Sequence, residues 1–409
     1  MSRINNNVKH SLVASLVALS GLGLTSTSQA DDYHYINMLI GDRASGLGGS
    51  YVSIADDPSG LYYNPAGIVY SASGNISANM NAYNLTRTEY KNALGGKSWI
   101  RNSSALVPNF FGITQPLGPG TIGFSYAITD SILEDQAQTF NDIPFAGSKF
   151  TINFNNQDTT NNVGPSYAIA FGKNFSIGLT LYGFMRTQER IVNQNFEFSK
   201  VTLTDSTTGE TIVDPDTGDA VLYDHFHSQN QYITKKEYGI KPILGIMYSP
   251  MDNISLGLSI RKVFLVQSTF TSQEVEATNF CADATDKRCD QPTFKLVKGS
   301  SNIQRTLPWE MSIGGTWFVN NKLLLTGTGW IYQAINNTSR PLINVAGGLE
   351  YYITGKFAMR LGGYTNLANT PKLQSGTNIY NEHVDIVGAS ASLSHFTRTS
   401  SITFGAAGS

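Results

Sequence analysis

Charge is scarce in this chain of 409 residues: Asp, Glu, Lys and Arg make up 14%, near balance at a formal −2, and nowhere do they form a basic run. Without a cationic patch to meet phosphates, nucleic-acid binding is disfavoured. Cysteine is almost absent, with only Cys281 and Cys289 in the polar stretch CADATDKRC. No His lies near them, which counts against a metal-ligand pair, and in an exported chain they predict a local disulfide. Long apolar runs are missing too. The longest, Leu12 to Leu24, follows Arg3 and Lys9 and precedes Ser28-Gln29-Ala30. That order is a signal peptide over residues 1–30, and its apolar run falls short of the ~20 residues a membrane helix needs. The mature chain is therefore expected to begin at Asp31 and to hold no transmembrane helix.

Catalytic signatures are lacking as well. There is no HExxH, no Walker loop and no Ser-centred nucleophile elbow, and Gly46-Leu47-Gly48-Gly49 has no strand ahead of it. Ser394 and His395 are adjacent, so on a strand they point to opposite faces. Asp214, Asp216 and Asp219 in DPDTGD read as a Pro-Asp-Gly turn before they read as a Ca²⁺ loop. The expectation is no catalytic residue, no metal site, no cofactor and no enzyme.

What the chain does have is 20 Tyr, 21 Phe and 39 Gly, the composition of a sheet whose two faces meet different solvents. From Ile76 on, runs of alternating apolar and small or polar residues repeat, thirteen in all, from Asn75–Tyr90 to Arg398–Ala407. Short turns such as Leu117-Gly118-Pro119-Gly120, Lys173-Asn174 and Thr354-Gly355 alternate with long polar segments at 91–103, 131–162, 193–231, 273–303 and 367–383. Short on one rim and long on the other is the asymmetry of an outer-membrane barrel. In the fifth run Phe175, Ile177, Leu179, Leu181 and Met185 share a face, and in the seventh Ile254, Leu256, Leu258 and Ile260 do. About ten residues at ~3.3 Å each, tilted, match the apolar thickness of such a membrane. Tyr126, Tyr167, Tyr248, Trp309, Trp317, Tyr351 and Tyr352 fall near strand ends, where aromatic girdles form. The fold expected is all-β, a transmembrane antiparallel β-barrel over residues 73–409. Thirteen strands would leave an edge open in lipid, so the barrel is expected to lack its last strand here.

Parity also assigns the inner face: Tyr182, Phe184 and Arg186 on the fifth strand, Lys241, Ile243 and Met247 on the sixth, Arg261 on the seventh and Arg360 on the eleventh. Apolar side chains with a few cations suit an amphiphile whose carboxylate meets Arg or Lys. Each cation has an alternative partner in Asp56 or Asp57.

Those carboxylates lie in RASGLGGSYVSIADDPSGLYYNPAG, Arg43 to Gly67, ahead of everything that alternates. The stretch, and above all Asn64-Pro65-Ala66, resembles the amino-terminal plug of the FadL/TodX family of outer-membrane transport proteins for long-chain fatty acids and aromatic hydrocarbons. The resemblance implies a fourteen-stranded barrel with residues 31–72 folded inside it. Its plug residues here would include Asn64, Pro65, Ala66, Asp56, Asp57, Tyr62 and Tyr63. Small residues allow close backbone approach, Tyr51 to Ala55 are expected to form a short helix ended by Asp56-Asp57-Pro58, and Leu61 to Tyr63 to meet the inner wall. In the family, cargo leaves sideways at a kink in the third strand, for which Gly123 is the candidate. The function implied is passive, plug-gated uptake of hydrophobic or amphipathic small molecules, with long-chain fatty acids as the leading cargo. An aromatic-hydrocarbon channel and a surface receptor or adhesin with binding loops are the alternatives. The partners implied are the cargo, the lipid bilayer and lipopolysaccharide, and the outer-membrane assembly machinery; the protein would be a monomer in the outer membrane of a Gram-negative bacterium.

Overall fold

A computed structural model describes residues 34–71, 74–94, 97–142, 148–202, 208, 210–279, 291–303, 305–335, 339–370 and 383–409. Cys281 and Cys289 lie outside the described residues. Three short helical pieces come first: α1 (Asp42–Gly46), α2 (Gly60–Tyr63) and a 3₁₀ turn at Pro65–Tyr70. Fifteen strands follow: β1 (Asn75–Leu94), β2 (Lys97–Leu117), β3 (Gly120–Asn141), β4 (Ser148–Phe171), β5 (Phe175–Thr202), β6 (Leu222–Met251), β7 (Ile254–Arg261), β8 (Phe264–Thr278), β9 (Thr293–Asn302), β10 (Glu310–Asn320), β11 (Leu323–Tyr332), β12 (Leu342–Thr354), β13 (Phe357–Asn366), β14 (Ile386–Phe396) and β15 (Ser401–Gly408). All pair antiparallel with their neighbours in one sheet. β7 and β8 continue one lane, since β6 pairs with both, and β9 and β10 continue the next. The lanes therefore number thirteen, as the alternating runs predict. No ladder pair joins β1 to β15 among the described residues.

The sheet curls around the N-terminal segment. Leu39 of that segment is bonded by Asn109 of β2, and Asp42 by Thr403 of β15. Along β5 the even residues Ser176, Thr180, Tyr182, Phe184 and Arg186 are buried, while Leu179, Leu181 and Met185 are exposed. The same outward apolar band runs through Leu244, Leu256, Ile313, Leu325, Val345, Met359 and Leu393. Exposed aliphatics at this density belong in lipid. Trp309, Trp317, Tyr167, Tyr248 and Tyr351 face outward at its margins.

Two expectations need correction. The segments 91–103, 131–162 and 193–231 are mostly strand and 273–303 holds β9, because β1 continues to Leu94, β2 starts at Lys97, β3 continues to Asn141, β4 starts at Ser148, β5 runs to Thr202 and β6 starts at Leu222. The reason is alternation of a second kind: above the lipid band the outer face is polar and the inner face carries Phe140, Phe150, Phe154, Phe196 and Phe198, packed together. Ring pairs such as Phe150 and Phe196, 4.3 Å apart, make cross-strand contacts that stabilise sheet outside the membrane. The helix expected at Tyr51–Ala55 is also displaced. Helix forms at 42–46 and 60–63, and residues 52–54 make a turn, since Gly48, Gly49 and Ala55 take positive φ.

Candidate functional site

The Asn64-Pro65-Ala66 corner is fixed by one amide. Asn64 is fully buried; its Oδ1 accepts the Ala66 N–H at 3.1 Å, while its Nδ2 donates to Val52 O at 2.7 Å and to Ile246 O of β6 at 3.0 Å. One side chain thus closes the turn and ties it to both its own segment and the wall. Wall hydroxyls complete the attachment: Ser176 donates to Ala66 O and Thr180 to Leu61 O, each at 2.8 Å. This approach requires glycine in the wall. A Cβ on Gly245 would sit 2.1 Å from Asn64 Oδ1, and one on Gly178 would sit 2.5 Å from the Pro65 carbonyl carbon.

On the opposite wall the segment is held by charge. Arg43 donates to Glu350 through Nε at 2.7 Å and Nη2 at 2.9 Å, and through Nη1 to Asp56 at 2.6 Å. Glu350, fully buried on β12, also accepts from Arg360 of β13 at 2.6 Å, and Arg360 reaches Ser394. The Tyr51 hydroxyl donates to Asp56. Burial pushes Asp57 up to about 6, with the Asp42 and Asp56 carboxylates adding to the shift and the Ser59 hydrogen bond opposing it.

A third cluster lies between these attachments. The Tyr62 ring carries two cations, Lys241 Nζ at 5.2 Å and the Arg261 guanidinium at 4.9 Å. Arg261 donates to Tyr63 O at 3.2 Å and lies 3.3 Å from Glu310, but no carboxylate is within ion-pair distance of Lys241 among the described residues. Burial pushes the Tyr62 phenol up to about 12, against the lowering effect of Arg261, so the ring meets the two cations uncharged. Around the cluster stand Tyr182, whose hydroxyl meets Ser125 at 2.6 Å, and Tyr332, stacked on Tyr35 at 4.2 Å. An aromatic enclosure with an underused ammonium is chemically suited to a molecule with an apolar body and an anionic end.

The residues read from parity thus divide. Tyr182 and Phe184 line the inner wall, and Lys241 and Arg261 converge on Tyr62. Arg186 is engaged by Asp158 of β4 at 2.9 Å, and Arg360 by Glu350, so wall carboxylates occupy both. Tyr63 accepts the Ile40 N–H at 3.1 Å, a bond within the N-terminal segment. Arg43 and Glu350 escaped the sequence reading, although Glu350 lies directly opposite Arg360 in the ladder and parity alone places it inward. Ser394 and His395 do point apart: Ser394 is fully buried beside Thr403 while the His395 ring lies outside against Phe357. Asp214, Asp216 and Asp219 form a turn closed by the Val213–Ala220 bridge.

The wall has a weak line between β2 and β3. Their ladder holds from Leu117↔Gly120 to Phe110↔Ala127 and resumes only at Ser103↔Glu134. Pro108 lies in the gap without an N–H to give, and an extra residue on β3 between Ile128 and Asp130 shifts its register against β4. Gly123 lies below this gap in regular ladder, with Leu61 packed over it. Behind the gap runs Asn37–Leu39: Asn37 donates to Asp130 of β3 at 3.2 Å, and Leu39 O accepts from Asn109 of β2 at 2.8 Å.

No family model and no curated protein matches this sequence. Solved structures do. A Pseudomonas aeruginosa FadL homologue matches with a TM-score of 0.59 at 14% identity, over 91% of this chain and 90% of that one. The Pseudomonas putida toluene transporter TodX matches with a TM-score of 0.56 at 11% identity, over 89% of this chain and 90% of that one. The CymD monoaromatic hydrocarbon channel matches with a TM-score of 0.52 at 11% identity, over 90% and 92%. This chain, thirteen antiparallel lanes wrapped around an N-terminal segment among its described residues, thus shares its fold with the FadL homologue, TodX and CymD.

Proposed function

We propose that this protein is an outer-membrane channel for passive uptake of hydrophobic or amphipathic small molecules, with residues 31–72 as its plug. Long-chain fatty acids are the cargo the cluster fits best. The observation that carries this reading is Tyr62, a residue of the plug, held between Lys241 and Arg261 of the wall with Lys241 lacking a carboxylate partner among the described residues. Cargo with an anionic end would compete for the two cations, and in doing so loosen the plug at Tyr62. That couples arrival to opening without an energy source or cofactor. Exit would follow through the gap between β2 and β3 once Asn37–Leu39 moves off it.

The test is uptake of oleate and of toluene by an outer-membrane-permeability strain that depends on this protein. Lys241→Ala should raise the half-saturating oleate concentration about tenfold, the worth of one charge-assisted contact, and leave toluene uptake unchanged. Equal losses for both probes would refute the carboxylate reading, and no dependence of either on the protein would refute the channel.

A further inference from the structure

A second break in the wall lies far from the first. β7 pairs with β10 up to Arg261↔Glu310, and β8 pairs with β9 only from Thr269↔Asn302 onward. Among the described residues no ladder pair spans the stretch between, which is crossed by the Ile303 N–H to Ser268 O bond at 3.2 Å. Pro308 has no N–H to offer there, and the Trp309 carbonyl accepts instead from Gln333 on its other side at 3.1 Å. The inner side of the loose stretch is held by Arg305, whose fork grips the fully buried Glu237 of β6 with two contacts of 2.6 Å.

Depth can be read from the ladder. Outward residues turn from apolar to polar where Met185 faces Tyr238 and, two residues on, Thr187 faces Lys236. Phe264 pairs with Ile240 and Gln267 with Tyr238, so the break starts inside the lipid band and ends at its outer edge. Its lower rim is outward-facing. Lys262 Nζ lies 5.1 Å from the Trp309 ring and 5.4 Å from the Phe264 ring, and the two rings meet edge to face at 6.0 Å. No carboxylate is within ion-pair distance of Lys262 among the described residues. A lysine facing lipid at this depth is costly unless its head reaches the interface or meets an anion. The preceding residue, Arg261, faces inward onto Tyr62 beside Lys241. Cations therefore stand on both sides of one thin, unladdered piece of wall.

From this geometry we infer a side port for cargo entry: a single-chain anionic amphiphile dissolved in the outer leaflet passes its headgroup from Lys262 to Arg261 and Lys241, its tail following between Phe264 and Trp309. The port rests on the channel reading above and adds to it a route that bypasses the long outer loops. The aromatic pair explains the tail's path, since both rings lie within cation-π reach of the Lys262 ammonium that meets the head and both remain partly exposed on the outer surface.

The test uses outer-membrane vesicles carrying the full-length protein and loaded inside with albumin. A palmitate with a diazirine in its tail is added to the outer leaflet, and both its photo-labelled peptides and its transfer to albumin are followed. Expected are labels on residues 262–268 and 305–309, transfer slowed about tenfold by Lys262→Glu, recovery in Lys262→Arg, and toluene transfer unchanged in both. Lys262→Gln, which adds no charge, should fall between, and retained heat-dependent gel mobility verifies that each barrel is folded. The port is overturned if Lys262→Glu transfers palmitate at the wild-type rate, or if labels fall only on the outer loops. Labelling at Lys262 with unchanged transfer would mark a resident lipid site and also overturn it. Failure of the wild type to transfer either probe would remove the channel reading, and the port with it.

Discussion

Arg43→Met should convert this protein from a sealed to a leaking barrel. Arg43 is 16% exposed in its side chain, Glu350 and Arg360 are 0% and 2%, and Asp56 is 37%. Removing one partner of a buried ion pair costs about 3–5 kcal/mol. Glu350 keeps Arg360 after the substitution, so the loss belongs at the low end, about 3 kcal/mol, which lowers the ratio of docked to undocked plug about 100-fold. Glu350→Gln leaves the buried Arg360 without its carboxylate and Arg43 with Asp56 alone, and belongs at the high end, about 5 kcal/mol. Asp56→Asn removes only the exposed arm, worth about 1 kcal/mol. The assay is ion conductance of single proteins in planar bilayers, read as the fraction of time spent in a conducting state. The expected order of leak is Glu350→Gln, then Arg43→Met, then Asp56→Asn, with the wild type lowest. Equal leak in wild type and Arg43→Met, or a leak from Asp56→Asn as large as that from Glu350→Gln, would refute the view that this ion cluster holds the plug.

Three further outcomes are expected. Gly245→Ala places its methyl 2.1 Å from Asn64 Oδ1, in a corner bonded three ways, so it should cost about 1–3 kcal/mol of docking and raise the leak; Gly315→Ala, whose methyl meets only Leu256 Cδ2 at 3.8 Å, should not. Docking should tighten on acidification: the Asp57 carboxyl has its pKa raised from 3.8 to about 6, so its contribution is full below about 4 and is lost as pH rises through 6. Conductance should accordingly be lower at pH 5 than at pH 7.5, and Asp57→Asn should flatten that difference by lowering the leak at pH 7.5. Replacing Asn37 and Asn109 together by Ala removes both fastenings over the β2–β3 gap and should speed release of preloaded oleate several-fold, measured by stopped-flow transfer to albumin; an unchanged rate would place the exit elsewhere.

Facing was legible in the sequence, and partnership was not. Period-two alternation placed Leu179 and Leu181 outside and Tyr182 and Phe184 inside, because one strand suffices to define its two faces. Whether Arg186 is available to a ligand depends on Asp158 of another strand, and no single run of residues carries that. The same holds for both breaks in the wall, which are relations between lanes. Their only local trace is Pro108 and Pro308, each a missing donor in an otherwise regular run. Parity itself fails past Ile128, where one extra residue on β3 reverses the faces beyond it. The tall outer walls were hidden by composition: Asn, Gln and Thr dominate 151–162 and read as loop until Phe150, Ile152 and Phe154 are seen to recur on one face.

The attachment of Asp42 to Thr403 spans 361 residues, and that of His34 to Val384 spans 350. The portion of the chain made first therefore receives its final fastenings last, from strands made at the far end of synthesis. Contacts of such separation form slowly, since the loop between them must close before either gains anything. Until then the early segment has Tyr51, Leu47 and Leu61 uncovered, side chains that are wholly enclosed in the finished protein. The early segment therefore stays uncovered until the last strands are made, a cost set by the connectivity alone.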